Sequence, residues 1–170
     1  MSMACWKCSG KRKENHMWTI EQRQRFVLED EVLKQQNMDQ FRVYHQQSDD
    51  SYYASGTATS NAGNKYRLWV TLPCGYPNSR PLMYLMDPCP LLAYDGTNIT
   101  SLGVSHIMHT LTPSGNGYVQ ICHWRDNRWH GQILLFKVFI KALIWIEAYE
   151  QHLSTGRPIN DFVSTMKETA

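Results

Sequence analysis

The cysteine at position 122 stands in a segment whose side chains suit nucleophilic chemistry. It follows the extended-looking run Gly117–Ile121 and precedes a polar, tryptophan-rich segment, HWRDNRW, that begins at His123. A thiol beside imidazole and guanidinium groups has its thiolate favoured, and the thiolate is the nucleophilic form of cysteine. The sequence therefore indicates Cys122 as a candidate nucleophile. The alternative is an inert buried thiol, the usual state of a free cysteine.

Two other groups of side chains have spacings that could serve a site. Cys5 and Cys8 have the C-x-x-C spacing of zinc ligands, and His16 could add a third, but one such pair supplies half of a tetrahedral site. We therefore interpret both cysteines as incidental thiols in a basic arm and expect no metal. His106 and His109 lie three residues apart before the candidate nucleophile, where they either face its thiol or only cap the loop.

Composition and motifs exclude several classes of protein. The chain has no G-x-S-x-G, P-loop or G-x-G-x-x-G motif, so we expect no nucleotide cofactor. Its 17 Lys and Arg against 15 Asp and Glu give a net charge of +2 over 170 residues, which offers no electrostatic reason to expect nucleic-acid binding. With 42% hydrophobic and 12% aromatic residues the chain can build one packed domain, which excludes wholesale disorder.

The elements that must position Cys122 are a helix and several strands before it and a helix after it. Thr19 and Gln22 have capping-box spacing, and apolar residues at helical intervals continue from Ile20 to about Met38. Strand-like patterns follow at Phe41–His45, Tyr52–Ala58, Tyr66–Leu72 and Leu82–Met86. Together they predict an α+β domain with an N-terminal helix, a four-stranded antiparallel meander and a C-terminal core helix.

The candidate nucleophile lies between a long irregular segment and an apolar one. Residues 88–112 are rich in proline, glycine and polar residues, and a loop of that length is usually functional. The apolar stretch Gln132–Leu153 carries Lys137, Lys141 and Glu147, which makes it a poor membrane span and favours a buried helix.

One stripe of the apolar helix is expected to pack against the sheet. It consists of Leu135, Phe139, Leu143 and Ile146, which recur at helical spacing. The strand opposite it supplies either Leu68 and Val70 or Trp69 and Thr71, and alternation along the strand leaves both registers open.

We divide the chain into an N-terminal arm (1–17), a catalytic domain (18–156) and a C-terminal tail (157–170). The first residues contain no apolar run of secretory length, so we expect no signal peptide. The five cysteines are an odd number, which favours reduced thiols over a disulfide framework. We therefore expect a cytoplasmic protein.

The order of these parts resembles the ubiquitin-conjugating enzymes over about residues 18–156. The strand Tyr66–Pro73 followed by the turn Tyr76–Pro81 is similar to the family's strand and its Tyr-Pro-x-x-x-Pro turn. The run Gly117–Cys122 resembles the approach to the family's active cysteine, and Trp129 stands where the family keeps a tryptophan. The segment Ile144–Glu150, running into Thr-Gly, resembles the ending of conjugating-enzyme-like proteins from bacterial defence operons.

The resemblance implies a fold, an activity and partners. It implies a ubiquitin-conjugating (UBC-like) fold in which Cys122 accepts the C-terminus of a donor protein as a thioester and passes it to an acceptor. The donor would be a ubiquitin-like modifier or a cGAS-like nucleotidyltransferase in an antiviral system. The chain has no adenylation motif, so a separate activating enzyme would be a further partner. It implies neither a membrane nor a nucleic acid as a partner.

The sequence departs from the family where the His-Pro-Asn tripeptide should precede the cysteine. His109 is the nearest equivalent of the histidine and would organise the site, but threonine and leucine follow it. The family's asparagine stabilises the oxyanion of the transfer step. The candidates to replace it are Asn116, His123 and Asn127.

Two other functions fit parts of the pattern. A catalytically silent UBC-like binding module is one, although such variants typically lack the cysteine that this chain has. A cysteine hydrolase using Cys122 with His106 or His109 is the other. In papain-like enzymes the cysteine precedes the histidine in the chain, and here that order is reversed.

Overall fold

A helix, an antiparallel sheet and a second helix follow one another along the chain. The computed structural model describes residues 18–163. Helix α1 spans Ile20–Gln35 and helix α2 spans Leu135–Thr155. Between them lie β1 (Phe41–Gln46), β2 (Ser51–Thr59), β3 (Lys65–Leu72), β4 (Leu82–Asp87) and β5 (Val119–Ile121). The five strands lie side by side in chain order, each antiparallel to the next. The predicted α+β class, with its N-terminal and C-terminal helices, is confirmed.

The sheet has one strand more than the predicted four-stranded meander. β5 lies within the run that the sequence analysis treats as a separate extended piece. It pairs with β4, with Ile121 opposite Met83 and Val119 opposite Leu85. Three residues are too few to show an alternating pattern, and the pairing joins segments that are far apart in the chain. The sequence therefore indicates an extended segment here but not its pairing with β4.

Helix α1 begins with the predicted capping box. The Thr19 hydroxyl accepts the Gln22 N–H at 3.2 Å, and the Gln22 side chain accepts the Thr19 N–H at 2.9 Å. The helix ends at Gln35, three residues before the predicted end at Met38. Asn37 takes a left-handed conformation with φ of +55°, which asparagine tolerates better than most residues, and this turns the chain into β1.

The core lies between the sheet and α2, and it settles the register of β3. Leu68 and Val70 are fully buried, whereas Trp69 stacks on Tyr53 with ring centroids 3.8 Å apart. On α2, Phe139 stacks on Phe41 of β1 at 4.1 Å. The rest of the predicted stripe is also packed: Leu135 and Ile146 are buried and Leu143 is partly buried.

Among the described residues, the packing includes Trp18 and continues beyond α2. Trp18 is buried and stacks on Tyr52 at 3.7 Å. α2 ends at Gly156, whose φ of +72° is the left-handed conformation that glycine permits at a helix end. Ile159 and Val163 are then fully buried, so the core includes residues that the sequence analysis assigns to a tail.

The remaining residues of the predicted arm and tail, 1–17 and 164–170, lie outside the described part of the chain. This applies to the Cys5, Cys8 and His16 group. Within residues 18–163, no helix is long and apolar enough to cross a membrane.

Candidate active site

Cys122 is the first residue after β5 and is held there by two neighbouring segments. Its N–H donates to the His109 carbonyl at 2.9 Å. One step back along this ladder, Leu111 N–H donates to the Gln120 carbonyl at 2.8 Å. The strand is thus paired with β4 on one side and with the end of the long loop on the other. Cys122 is half-buried, so its thiol lies at the boundary between the core and the surface.

The Tyr76–Pro81 turn holds the segment that follows Cys122. His123 Nε2 donates to the Pro81 carbonyl at 2.9 Å, and Trp129 Nε1 donates to the Pro77 carbonyl at 2.8 Å. Arg80 forms an ion pair with Asp126. These contacts join residues 42 to 52 positions apart in the chain. The Tyr76–Pro81 turn and the segment from His123 to Trp129 therefore pack against each other next to Cys122 in the chain.

His123 is turned into the core and cannot serve as the oxyanion donor. A carbonyl only accepts hydrogen bonds, so the Pro81 carbonyl fixes the ring proton on Nε2. Burial, reinforced by the nearby charge of Arg80, lowers the pKa of His123 to about 3. The ring is therefore neutral near pH 7, with its one N–H already used and its Nδ1 able only to accept.

The two candidate asparagines are both exposed. Asn116 is exposed in the turn Ser114–Gly117, at the far end of the ladder that begins at Cys122 and His109. At about 3.3 Å per extended residue, that places it roughly 15 Å from the thiol. Asn127 is exposed in the 3-10 turn Asp126–Arg128.

The His109 backbone contacts Cys122, while its ring Nε2 is bonded to Asn160. Its carbonyl accepts the Cys122 N–H, and its φ is +51°. The ring Nε2 lies 3.1 Å from Asn160 Oδ1, and the Asn160 N–H donates to the Ile107 carbonyl at 2.8 Å. The loop is thereby fixed to the segment after α2. The other loop histidine, His106, is exposed.

Three cationic side chains act electrostatically on the Cys122 thiol, but they do not give it a low pKa. Burial raises the pKa of the Cys122 thiol, and Asp126 adds to that effect. Arg80, Arg125 and Lys141 act in the opposite direction without cancelling the rise. Arg125 favours the thiolate, as the sequence predicts for a neighbouring guanidinium, but desolvation of the anion outweighs the cations in the resting protein.

Lys141 and Trp124 belong to this site, and the sequence analysis does not assign them to it. The Lys141 ammonium lies 3.8 Å from the centre of the Trp124 ring. Lys141 is only 6% exposed and interacts electrostatically with Cys122. The signal that could have identified it is a lysine on the most apolar helix, at helical spacing from the apolar residues Val138 and Trp145.

The long loop beside Cys122 presents an apolar surface. Its exposed hydrophobic residues, each between 44% and 60% accessible, are Leu92, Tyr94, Leu102, Val104 and Ile107. A cavity of about 230 Å³ lies between this loop and the end of α2, with Tyr94, Leu102 and Ile107 in its wall. Trp145 of α2 donates to the Met108 carbonyl at 3.0 Å and anchors the loop from beneath.

The described part of the chain contains no cluster of side chains suited to binding a metal ion. Over residues 18–163, no group of three or more His, Cys, Asp or Glu side chains is arranged to hold an ion. Cys74 and Cys89 are exposed, Cys74 between β3 and β4 and Cys89 near the start of the long loop.

The raised pKa of Cys122 predicts slow alkylation at neutral pH. Only the thiolate reacts with iodoacetamide, so the rate should climb roughly tenfold per pH unit and level off at a higher pH than for a cysteine in a short peptide. Mass spectrometry of the Cys122 peptide after timed labelling between pH 6 and 10.5 measures this profile. If the rate levelled off at a lower pH than it does for a cysteine in a short peptide, the effect of burial would be contradicted.

The sequence matches no protein-family model, and no curated protein is significantly similar to it.

Proposed function

We propose that this protein is a ubiquitin-conjugating-enzyme-like acyltransferase that carries an acyl group as a thioester on Cys122. The observation that supports this most directly is the unit formed by Cys122, the Tyr76–Pro81 turn and Trp129. It places a half-exposed thiol at the end of β5, beside a long loop with an apolar surface. The finer fold assignment, UBC-like, is part of the same proposal.

A hydrolase is the weaker proposal because the nearby imidazoles are engaged elsewhere. A cysteine hydrolase activates its thiol with an adjacent base. His123 is neutral and bonded to Pro81, and His109 Nε2 is bonded to Asn160. A conjugating enzyme does not need a permanently paired base, because its donor arrives already activated as a thioester.

The reaction consists of two acyl transfers. In the first, the Cys122 thiol loses its proton to solvent and the thiolate attacks the carbonyl carbon of the donor thioester. The new S–C bond forms as the old one breaks, and the activating partner's sulfur leaves as a thiolate. In the second, an acceptor amine attacks the Cys122 thioester, the C–S bond breaks towards sulfur, and the amine proton passes to solvent.

The raised pKa of Cys122 suits a carrier that must hold its acyl group until an acceptor arrives. A thiol with a higher pKa is a poorer leaving group, so its thioester resists stray nucleophiles. Partial burial also limits the access of water to the acyl carbon. Release then depends on groups that stabilise the departing sulfur.

The partners follow from the family resemblance. The donor would be the C-terminus of a ubiquitin-like protein or of a cGAS-like nucleotidyltransferase, charged by a separate activating enzyme in the cytoplasm of a bacterium under phage attack. Its extended tail would lie between the 88–112 loop and Cys122. The exposed Tyr94, Leu102 and Ile107 supply an apolar surface on which a folded partner could dock.

Trapping the adduct tests this function. When the protein is produced together with its neighbouring genes and separated without reductant, it should carry a donor that dithiothreitol removes. Cys122→Ala should carry none, and Cys122→Ser should carry an ester that dithiothreitol does not cleave. The matched control is Cys74→Ala, which should behave like the natural protein because Cys74 is exposed and lies between β3 and β4, outside the 88–112 loop.

Two outcomes would count against the proposal. An adduct that survives in Cys122→Ala would assign the chemistry to another residue. A natural protein that co-purifies with its partner but never forms an adduct would be a binding module.

A further inference from the structure

Lys141 occupies a position on α2 where an apolar residue would be expected. Val138, Ala142 and Trp145 lie on the same side of the helix, at spacings of three and four residues, and all three are fully buried. Placing an ammonium group among them costs free energy unless it is compensated. The lysine therefore needs an explanation beyond packing.

Trp124 fixes where the Lys141 charge lies. The ammonium sits over the face of the indole at 3.8 Å, a geometry in which the ring attracts the cation. Trp124 is itself 9% exposed and stands two residues after Cys122. This contact holds the Lys141 ammonium against the segment that carries the thiol. Lys141 and Cys122 interact electrostatically there.

We propose that Lys141, positioned by Trp124, stabilises the negative charge that develops at Cys122. The first half of the proposal concerns the free protein, in which that charge is the thiolate. The second half rests on the proposed function, in which the charge is also the tetrahedral oxyanion and the departing sulfur of the transfer step. Lys141 thereby takes the place of the asparagine that the chain lacks before its cysteine.

In the transfer step, the electron pairs move first to the carbonyl oxygen and then to the Cys122 sulfur, and we propose that Lys141 stabilises the charge on both atoms. The acceptor nitrogen lone pair forms the new C–N bond, and the carbonyl π pair moves to oxygen. When the carbonyl re-forms, the C–S bond pair goes to the Cys122 sulfur, and the nitrogen proton goes to solvent. A cation in a poorly hydrated position stabilises both anionic stages more strongly than one in water.

Arg80 and Arg125 also favour the Cys122 thiolate, and Arg80 acts on it more strongly than Lys141 does. Arg125 is exposed, so solvent and salt screen it. Arg80 is paired with Asp126, whose own charge opposes thiolate formation. His123 is neutral. Lys141 is the cation presented from the helix that packs beneath the site.

A labelling profile tests the first half of the proposal without any donor. Lys141→Met has an unbranched side chain of similar length but no charge, whereas Lys141→Arg keeps the charge. At pH 8, iodoacetamide should label the Cys122 peptide about tenfold more slowly in Lys141→Met, with the pH profile displaced upwards. Lys141→Arg should stay within about threefold of the natural protein. The matched control is Lys137→Met, one turn earlier on α2 and exposed, which should not change the profile.

Aminolysis of a loaded Cys122 tests the second half. The protein is acylated with the thiobenzyl ester of a short peptide, and loss of the acyl group from the Cys122 peptide is followed after adding glycinamide. We expect Lys141→Met to transfer about tenfold more slowly and Lys141→Arg to recover most of the rate. Melting curves establish that each variant is folded, and Lys141→Gln, which keeps a polar end group, replaces Lys141→Met if that variant is unfolded.

The two measurements separate this inference from the proposed function. An unchanged labelling profile and an unchanged aminolysis rate in folded Lys141→Met would overturn the role of Lys141, even if Cys122 carries a donor in cells. A displaced profile in a protein that never acquires a donor would support the electrostatic role and contradict the acyltransferase.

Discussion

Replacing Glu29 with alanine is expected to lower the free energy of unfolding by about 3–5 kcal/mol. Glu29 is fully buried in α1 and accepts three different donors. The Arg25 guanidinium and the Tyr76 hydroxyl donate to one carboxylate oxygen. The other accepts the N–H of Leu135, the first residue of α2, at 2.7 Å. One side chain thus ties α1 to the turn beside the site and to the start of the core helix.

The size of this effect follows from what the substitution leaves behind. Arg25 would keep its bond to the Ile133 carbonyl but lose the carboxylate that balances its largely buried charge. The Tyr76 hydroxyl and the Leu135 N–H would be buried without their acceptor, each a further cost. A carboxylate at the start of α2 also favours the helix dipole, and that contribution would disappear.

Two variants make the Glu29 measurement specific. Asp30→Asn alters the next residue, whose ion pairs with Lys34 and Arg42 lie at the surface, and should cost under about 1 kcal/mol. The loss of unfolding free energy in Glu29→Gln should fall between those of Glu29→Ala and Asp30→Asn, because the amide oxygen accepts hydrogen bonds and the amide nitrogen does not. Urea denaturation followed by circular dichroism gives the three free energies. Equal losses for Glu29→Ala and Asp30→Asn would show that the buried network contributes little.

Elements whose signals are local could be predicted from the sequence. The Thr19 capping box, the strand β3 and the apolar helix α2 each carry their own pattern within a few residues, and each lies close to its predicted position. The register of β3 carries no such signal. It depends on which side meets α2, and Leu68 and Val70 face inwards because Trp69 has an aromatic partner on the other side of the sheet.

The site could be predicted only in part, because its groups meet through contacts between distant segments. Cys122 is marked by its surroundings in the sequence, and the structure places it against the turn and Trp129. The direction of the His123 ring is set by the Pro81 carbonyl, which lies 42 residues earlier. Lys141 looks like an interruption of an apolar helix until its contact with Trp124 is known. The effect of burial on the thiol likewise depends on packing and not on neighbours in sequence.

Truncating Phe139 to alanine is expected to cost about 3–5 kcal/mol, a large share of the 5–15 kcal/mol that stabilises a typical domain. The ring is fully buried in the second turn of α2 and stacks on Phe41 with an interplanar angle of 13°. Removing it loses the apolar burial, the ring pair and the packing of the surrounding side chains. The cavity left behind cannot collapse easily, since β1 is held by its pairing with β2.

The neighbouring residue provides the control that separates burial from helix propensity. Ile140 lies on the other side of α2 and is 41% exposed, so Ile140→Ala should cost under about 1 kcal/mol. Because alanine is the better helix former, propensity alone would make both substitutions neutral or favourable. A difference of several kcal/mol in urea denaturation would therefore measure the contact between α2 and the sheet. A loss below about 1 kcal/mol for Phe139→Ala would mean that this side of α2 does not form the core.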